Sequence, residues 1–180
     1  MRLVSPVLAM AAAMVLGGAV WASSGDADAA RAALGRGARF YVEGNVRAAR
    51  VELMNAIKAD PANIAARVAQ AQVLLDLEDA EGAQAELDRA EALGARADAI
   101  AHLKAHARLL AGDADGALAL AEAAVPMQAQ YAARIRARAY ITKGDLAAAK
   151  AEFDAALQST TPSAALWTDI GRFRLETGDM

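Results

Sequence analysis

Residues 130–163 read QYAARIRARAYITKGDLAAAKAEFDAALQSTTPS, which is two alanine-rich amphipathic stretches on either side of the turn dipeptide Gly144-Asp145. Similar dipeptides recur along the chain at spacings of 34, 34, 32 and 34 residues. They are Gly44-Asn45, Glu78-Asp79, Gly112-Asp113, Gly144-Asp145 and Gly178-Asp179. A near-constant period of this length indicates an array of similar helix-turn-helix units.

Placing each dipeptide at position 15 of a 34-residue unit divides the chain into repeats. They lie at 30–63, 64–97, 98–129 and 130–163, with an incomplete repeat at 164–180. Three positions of the unit hold only glycine or alanine, as expected where two helices nearly touch. Position 8 holds Gly37, Ala71, Ala105, Ala137 and Gly171; position 20 holds Ala49, Ala83, Ala117 and Ala149; position 27 holds Ala56, Ala90, Ala124 and Ala156. We predict that these residues pack the repeats.

The composition favours helices. Hydrophobic residues make up 56% of the chain but aromatic residues only 4%, and much of the difference is alanine, which has the highest helix propensity. We therefore expect an all-α fold with a core of small side chains. A net charge of -3 offers no basic surface for a phosphate backbone, so no nucleic-acid partner is expected. The absence of cysteine excludes disulfides and thiolate metal sites.

The first 22 residues have the features of a secretory signal peptide. Arg2 precedes an almost unbroken apolar run over 3–20, and Val20-Trp21-Ala22 places small residues at positions -3 and -1 of a cleavage site. Cleavage after Ala22 predicts a periplasmic or secreted chain with no stable membrane span, and a short linker at 23–29. The alternative is an uncleaved membrane anchor, because a run of this length is at the lower limit for a membrane-spanning helix.

The repeats resemble those of the tetratricopeptide (TPR) family. The first repeat meets the family pattern with Gly37, Phe40, Ala49, Ala56 and Pro61. The resemblance covers nearly the whole chain after residue 22. It implies a right-handed solenoid of helical hairpins, with about four and a half repeats counted from the spacing above.

Some repeats depart from the family pattern. Repeat two has Gly94-Ala95 where Asp-Pro is usual, and position 11 of repeat three is Arg108. Repeat three is also two residues short around Val125-Pro126. Its second helix is predicted to end at or before Pro126, because proline disfavours the helical conformation of the residue before it.

A narrower resemblance covers Leu53-Met54-Asn55-Ala56-Ile57, Asp60-Pro61 and Ala92-Leu93-Gly94. These segments look like those of TPR proteins encoded with bacterial exopolysaccharide and exosortase (PEP-CTERM) systems. The resemblance implies a role in envelope polysaccharide assembly. Those proteins are commonly lipoproteins, whereas this chain has no cysteine to carry a lipid.

The TPR resemblance also implies a binding groove lined by the first helix of each repeat. The groove residues that we single out are Tyr41, Gln72, His102, His106, Arg134, Arg138 and Arg172. Position 9 of the last three repeats holds His106, Arg138 and Arg172, a line of hydrogen-bond donors in an acidic chain. A protein or peptide partner is therefore expected, with an acidic segment or a C-terminal carboxylate favoured, because arginine pairs bidentately with carboxylates. The alternative is that these arginines are simply solvated.

We find no combination of residues in the sequence that would support catalysis or metal binding. His102 and His106 lie one helical turn apart, as two metal ligands would, but the sequence supplies no third ligand beside them. Gly35-Arg36-Gly37 follows no predicted strand and is therefore not a phosphate-binding loop. With both histidines on one helix, a catalytic triad is not credible. We predict no enzymatic activity, no catalytic residue, no cofactor and no metal.

The favoured function is a non-catalytic protein-protein interaction scaffold of the bacterial cell envelope, in exopolysaccharide export or surface assembly. One alternative is the N-terminal TPR arm of a longer envelope enzyme whose catalytic domain lies beyond residue 180. Another, a metal or small-ligand carrier using His102 and His106, lacks further ligands.

The sequence also predicts a longer protein, because the chain stops at the turn that should open a further helix. Trp167 and Phe173 are then expected to be only partly covered. The alternative is that the helix at 164–177 is itself a polar cap.

Overall fold

The computed structural model describes residues 24–159 and 161–178, and these residues form helices and turns with no strand. The predicted all-α fold is confirmed for this part of the chain. The helices are α1 (Ser24–Val42), α2 (Val46–Ala59), α3 (Ile64–Asp76), α4 (Ala80–Ala92), α5 (Ala97–Leu110), α6 (Ala114–Glu122), α7 (Ala129–Thr142), α8 (Leu146–Ser159) and α9 (Ala164–Thr177), with a 3-10 turn at Pro126–Gln128. The predicted signal peptide at 1–22 lies outside the described residues.

The turn dipeptides at 44–45, 78–79, 112–113 and 144–145 each end one helix and begin the next, and Gly178 of the fifth dipeptide ends α9 at a φ of +73°. Between α7 and α8, Gly144 has a φ of +78°, and the amide of Asp145 donates to the carbonyl of Tyr140 at 2.9 Å. The carboxylate of Asp145 then accepts from the amide of Ala148 at 3.0 Å and caps α8. Asn45, Asp79 and Asp113 cap α2, α4 and α6 in the same way. Turns this short join the two helices into an antiparallel hairpin.

One of these turns is strained. Glu78 has a φ of +61°, whereas the equivalent residues Gly44, Gly112 and Gly144 are glycines at φ of +78° to +84°. A residue with a Cβ in the left-handed region costs roughly 1–2 kcal/mol, which glycine avoids.

We predict that Glu78→Gly stabilises the protein by about 1 kcal/mol, because it relieves this strain. The reciprocal Gly112→Ala should destabilise by a similar amount. Urea unfolding of both variants measures the two changes. If Glu78→Gly lowered the unfolding midpoint, the left-handed conformation at residue 78 would be refuted.

Small residues hold the helices of each hairpin together. Gly37 in α1 is buried, and a Cβ built on it would lie 2.8 Å from Cγ of Leu53 in α2. Ten of the eleven alanines at the predicted contact positions are at most 3% exposed. They are Ala71, Ala105, Ala137, Ala49, Ala83, Ala117, Ala149, Ala56, Ala90 and Ala156. The helices therefore approach closely where the sequence has glycine or alanine.

Two of the predicted packing residues behave differently. Ala124 lies beyond the end of α6 at Glu122 and is only partly buried, because the helix stops ahead of Pro126 as predicted. Gly171 in α9 is exposed, and a Cβ built on it would meet no atom within 4 Å. A small residue packs tightly only where a second helix lies against it, and the described residues place none against Gly171.

The hairpins stack through their first helices. Each odd-numbered helix contacts the next odd-numbered helix as well as its neighbours in sequence, so α1, α3, α5, α7 and α9 form one layer. Apolar clusters fill the spaces between consecutive hairpins. None of the described helices is long and apolar enough to cross a membrane.

The ends of the array differ from the sequence-based expectations. Helix α1 begins at Ser24, so most of the predicted linker at 23–29 is helical, and Asp28 pairs with Arg31 one turn later at 3.0 Å. At the other end, Phe173 is only 6% exposed, because its ring packs 5.5 Å from that of Phe153. Trp167 is half exposed, as predicted.

Candidate binding site

Polar side chains from four first helices form two neighbouring hydrogen-bonded groups, one around Asp76 and one around His106, which together we call the polar cluster. It consists of Tyr41 from α1, Gln72 and Asp76 from α3, His106 from α5, and Tyr131 and Arg138 from α7. The residues come together because the odd-numbered helices lie side by side and present the same face.

The acidic end of the polar cluster is the carboxylate of Asp76. It accepts from the hydroxyl of Tyr41 at 2.6 Å and from the side-chain amide of Gln72 at 3.2 Å. Asp76 is solvent-accessible, yet desolvation by the surrounding protein raises the pKa of its carboxyl above the ordinary value, against the two hydrogen bonds that lower it. Burial and the nearby Asp76 carboxylate raise the pKa of Tyr41 as well, so that its hydroxyl remains a donor.

The basic end is organised by the ring of His106. Nδ1 lies 2.6 Å from the hydroxyl of Tyr131, and Nε2 lies 3.2 Å from a guanidinium nitrogen of Arg138. Because a guanidinium can only donate, Nε2 must accept, and the proton of the neutral ring is on Nδ1. His106 therefore donates to the oxygen of Tyr131, whose own proton is left for another acceptor, and holds Arg138 in place.

Both histidines are neutral at pH 7. Burial lowers the pKa of His102, which is 2% exposed, to about 4. Burial, with the cations of Arg138 and Arg134, lowers the pKa of His106 to about 3. A neutral ring can accept from Arg138, whereas a protonated ring would repel it.

Arg134, one turn before Arg138, has its partner within the protein. Its Nε donates to a carboxylate oxygen of Asp169 in α9 at 2.6 Å, and the two side chains are 17% and 10% exposed. Its guanidinium also lies 5.6 Å from the ring centre of Tyr131, within cation-π range. The charge of Arg134 is thus largely neutralised, and the pair ties α9 to α7.

Arg138 is the exception among the partly buried basic residues. In the described part of the chain, five lysines or arginines are of intermediate burial, and four of them pair with carboxylates at 3.0 Å or less. Those four are Arg67, Lys104, Arg134 and Arg136. Arg138 has no carboxylate among the described residues within 4.0 Å and bonds only to neutral His106 through its side chain.

Polar atoms at the polar cluster are also left without partners. Gln72 is 4% exposed and its Oε1 accepts no hydrogen bond from any described group. Both ring nitrogens of His102 also lack a hydrogen-bond partner among the described groups. The His102 ring packs edge-on against that of Tyr131, with 5.1 Å between the ring centres. A buried polar atom without a partner costs about 1–3 kcal/mol, so such atoms indicate an incomplete site.

The structure thus brings part of the predicted groove together. Tyr41 and Gln72 both bond to Asp76, and Arg138 bonds to His106. His102 packs beside Tyr131, while Arg134 faces Asp169 instead. Arg172 in α9 is exposed. His102 and His106 are buried, and no group of three or more His, Asp or Glu in the described residues could hold a metal.

Three important residues, Asp76, Tyr131 and Asp169, are not among the groove residues that we singled out, although the TPR resemblance places Asp76 and Tyr131 at groove-facing positions. A signal for two of them exists, because Tyr41 to Asp76 and Arg134 to Asp169 are both separated by 35 residues, one repeat plus one. Complementary side chains at that spacing can bridge neighbouring first helices. The role of Tyr131 has no comparable signal.

Comparison with other proteins does not assign a function to the polar cluster. No protein-family model matches the chain, and no curated protein is significantly similar to it.

Proposed function

We propose that this chain is a TPR-type scaffold that binds a protein or peptide segment across the layer of its first helices. Three features support this interpretation: the repeated hairpins, the glycine and alanine contacts within them, and the side-by-side first helices. In the proposal the scaffold is non-catalytic and works in the bacterial cell envelope after cleavage at Ala22. Exopolysaccharide export or surface assembly is the pathway that the resemblance implies.

The observation that carries the proposal is the unpaired guanidinium of Arg138. A partly buried cation without a carboxylate is unfavourable, and the other partly buried basic residues of the described chain avoid it. His106 fixes the position of Arg138, so the side chain gives up little conformational entropy when a carboxylate binds. Arg172, exposed on α9, adds a second cation on the same predicted row.

The test is charge reversal at these two arginines. We expect Arg138→Glu with Arg172→Glu to reduce partner capture at least about tenfold, because removing a bonded charge at an interface typically costs 2 kcal/mol or more. Capture is measured by crosslinking from a periplasmic extract, followed by titration of the identified partner. The matched control is Arg47→Glu with Arg50→Glu, which makes the same charge change on exposed positions of α2. Equal capture by the wild type and the Arg138/Arg172 variant, at unchanged helicity, would contradict the proposal.

A further inference from the structure

The polar cluster carries an unpaired charge of each sign. Asp76 accepts only from the neutral groups of Tyr41 and Gln72, and no lysine or arginine of the described chain lies within ion-pair distance of it. At the other end Arg138 bonds only to neutral His106 through its side chain. Arg134 forms its ion pair with Asp169 and acts on Asp76 only through space, where its charge lowers the pKa of that carboxyl. The site therefore has an acidic and a basic end, where the sequence suggested basic character alone.

Asp76 and Arg138 form no ion pair with each other, and each bonds to neutral side chains instead. Tyr131 and Arg138 contact opposite nitrogens of the His106 ring, and Gln72 lies on the Asp76 side. A single carboxylate or a single ammonium group would therefore satisfy only one end. Close to the two ends, the Oε1 of Gln72 and the ring nitrogens of His102 are buried without a partner among the described groups.

We propose that the polar cluster recognises a bipolar peptide segment, with a basic group at Asp76 and a carboxylate at Arg138. This inference rests on the proposed function, because it specifies the chemistry of the segment that the scaffold binds. The carboxylate pairs with the free nitrogens of Arg138, whose direction is set by His106. A lysine or arginine of the segment pairs with Asp76, which is accessible to solvent.

The probes are four pools of decapeptides with acetylated N termini and otherwise uncharged residues, titrated into the isotope-labelled full chain and followed by NMR. One pool carries one lysine and one glutamate two to five residues apart, one carries glutamate alone and one carries lysine alone, all three amidated. The fourth carries lysine and a free C-terminal carboxylate, which separates a side-chain carboxylate from a chain terminus as the source of negative charge.

We expect the better of the two bipolar pools to bind about fivefold more tightly than either single-charge pool, the effect typical of one accessible ion pair. Asp76→Asn should reduce bipolar binding to the glutamate-only level and leave glutamate-only binding unchanged. Arg138→Gln should reduce it to the lysine-only level, and Arg138→Lys should retain part of the affinity. The matched controls Arg108→Gln and Asp154→Asn, at exposed positions outside the polar cluster, should have no effect.

The experiment distinguishes a failure of this inference from a failure of the proposed function. Glutamate-only binding as tight as bipolar binding, or bipolar binding unaffected by Asp76→Asn in a variant of wild-type helicity, overturns this inference and leaves the scaffold proposal standing. Absence of binding by every pool overturns the inference, and the scaffold proposal then depends on the crosslinking result.

Discussion

Lowering the pH from 7 to 5 is expected to reduce the free energy of unfolding by about 4 kcal/mol through His102 and His106 alone. Their pKa values in the folded chain are about 4 and about 3, whereas histidine in an unfolded chain titrates near 6.5. At pH 5 the unfolded chain therefore binds two protons that the folded chain excludes. The stabilisation that depends on the two neutral histidine rings is fully present above pH 6.5. It is lost as the pH falls toward the pKa values of the rings in the folded chain.

The size of this effect depends little on the folded-state values. Both lie below 5, so each ring contributes about 2 kcal/mol at pH 5, a figure set mainly by the unfolded-state pKa. Lowered carboxyl pKa values, as at Glu52 and Asp98, matter only at lower pH. Asp76 acts in the opposite direction, because its raised pKa favours the protonated folded form.

Urea unfolding at pH 7, 6 and 5 measures the loss, with His102→Gln, His106→Gln and the double variant as comparisons. Each single variant should lose about half as much stability between pH 7 and 5 as the wild type, and the double variant should lose little. The comparison uses the change with pH, so a lower starting stability of a variant does not affect it. A wild-type midpoint that does not move between pH 7 and 5 would show that the rings are not excluded from protonation.

The turns and hairpin contacts were predictable because each depends on local or periodic chemistry. Gly144 permits the left-handed end of α7, and Asp145 caps α8, whatever the rest of the chain does. The alanines at positions 20 and 27 recur at one period and so mark one helix face. Ala124 shows the limit of periodicity, because the local effect of Pro126 ends α6 before the contact position is reached.

The polar cluster was only partly predictable. The sequence placed His102 and His106 on one helix face but not in the protein interior, because burial depends on how Tyr131 of the next hairpin covers them. It also placed both Arg134 and Arg138 in the groove, without indicating that Arg134 would have an internal partner. Only the stacking of α9 on α7 brings Asp169 to Arg134 and leaves Arg138 without a carboxylate in the described chain. Such pairings depend on inter-hairpin geometry, which the repeat period does not specify.

Replacement of Leu53 by alanine is expected to cost about 2–5 kcal/mol, since a fully buried leucine leaves a cavity when it is truncated. Leu53 fills the space over Gly37, where a Cβ would lie 2.8 Å from its Cγ and 3.4 Å from the carbonyl oxygen of Ala49. Gly37→Ala alone should therefore cost about 1–3 kcal/mol through overpacking.

The two changes should compensate in part when combined. Alanine at 53 removes Cγ, the atom that clashes with the new Cβ at 37, and that Cβ fills part of the cavity. The double variant should therefore be more stable than the sum of the single effects by about 1 kcal/mol or more, as for other residues in direct contact.

Matched controls lie one turn or less away. A Cβ on Gly35 meets no atom within 4 Å, so Gly35→Ala should stabilise α1 by up to about 1 kcal/mol through helix propensity alone. Val51→Ala truncates a side chain that is 58% exposed and should change stability by less than about 0.5 kcal/mol. Urea unfolding of the wild type and these five variants measures the effects. Two outcomes would contradict the predicted contact at position 8. One is strict additivity of Gly37→Ala and Leu53→Ala, and the other is an equal effect of alanine at 35 and at 37. Either would mean that α1 and α2 do not touch at Gly37.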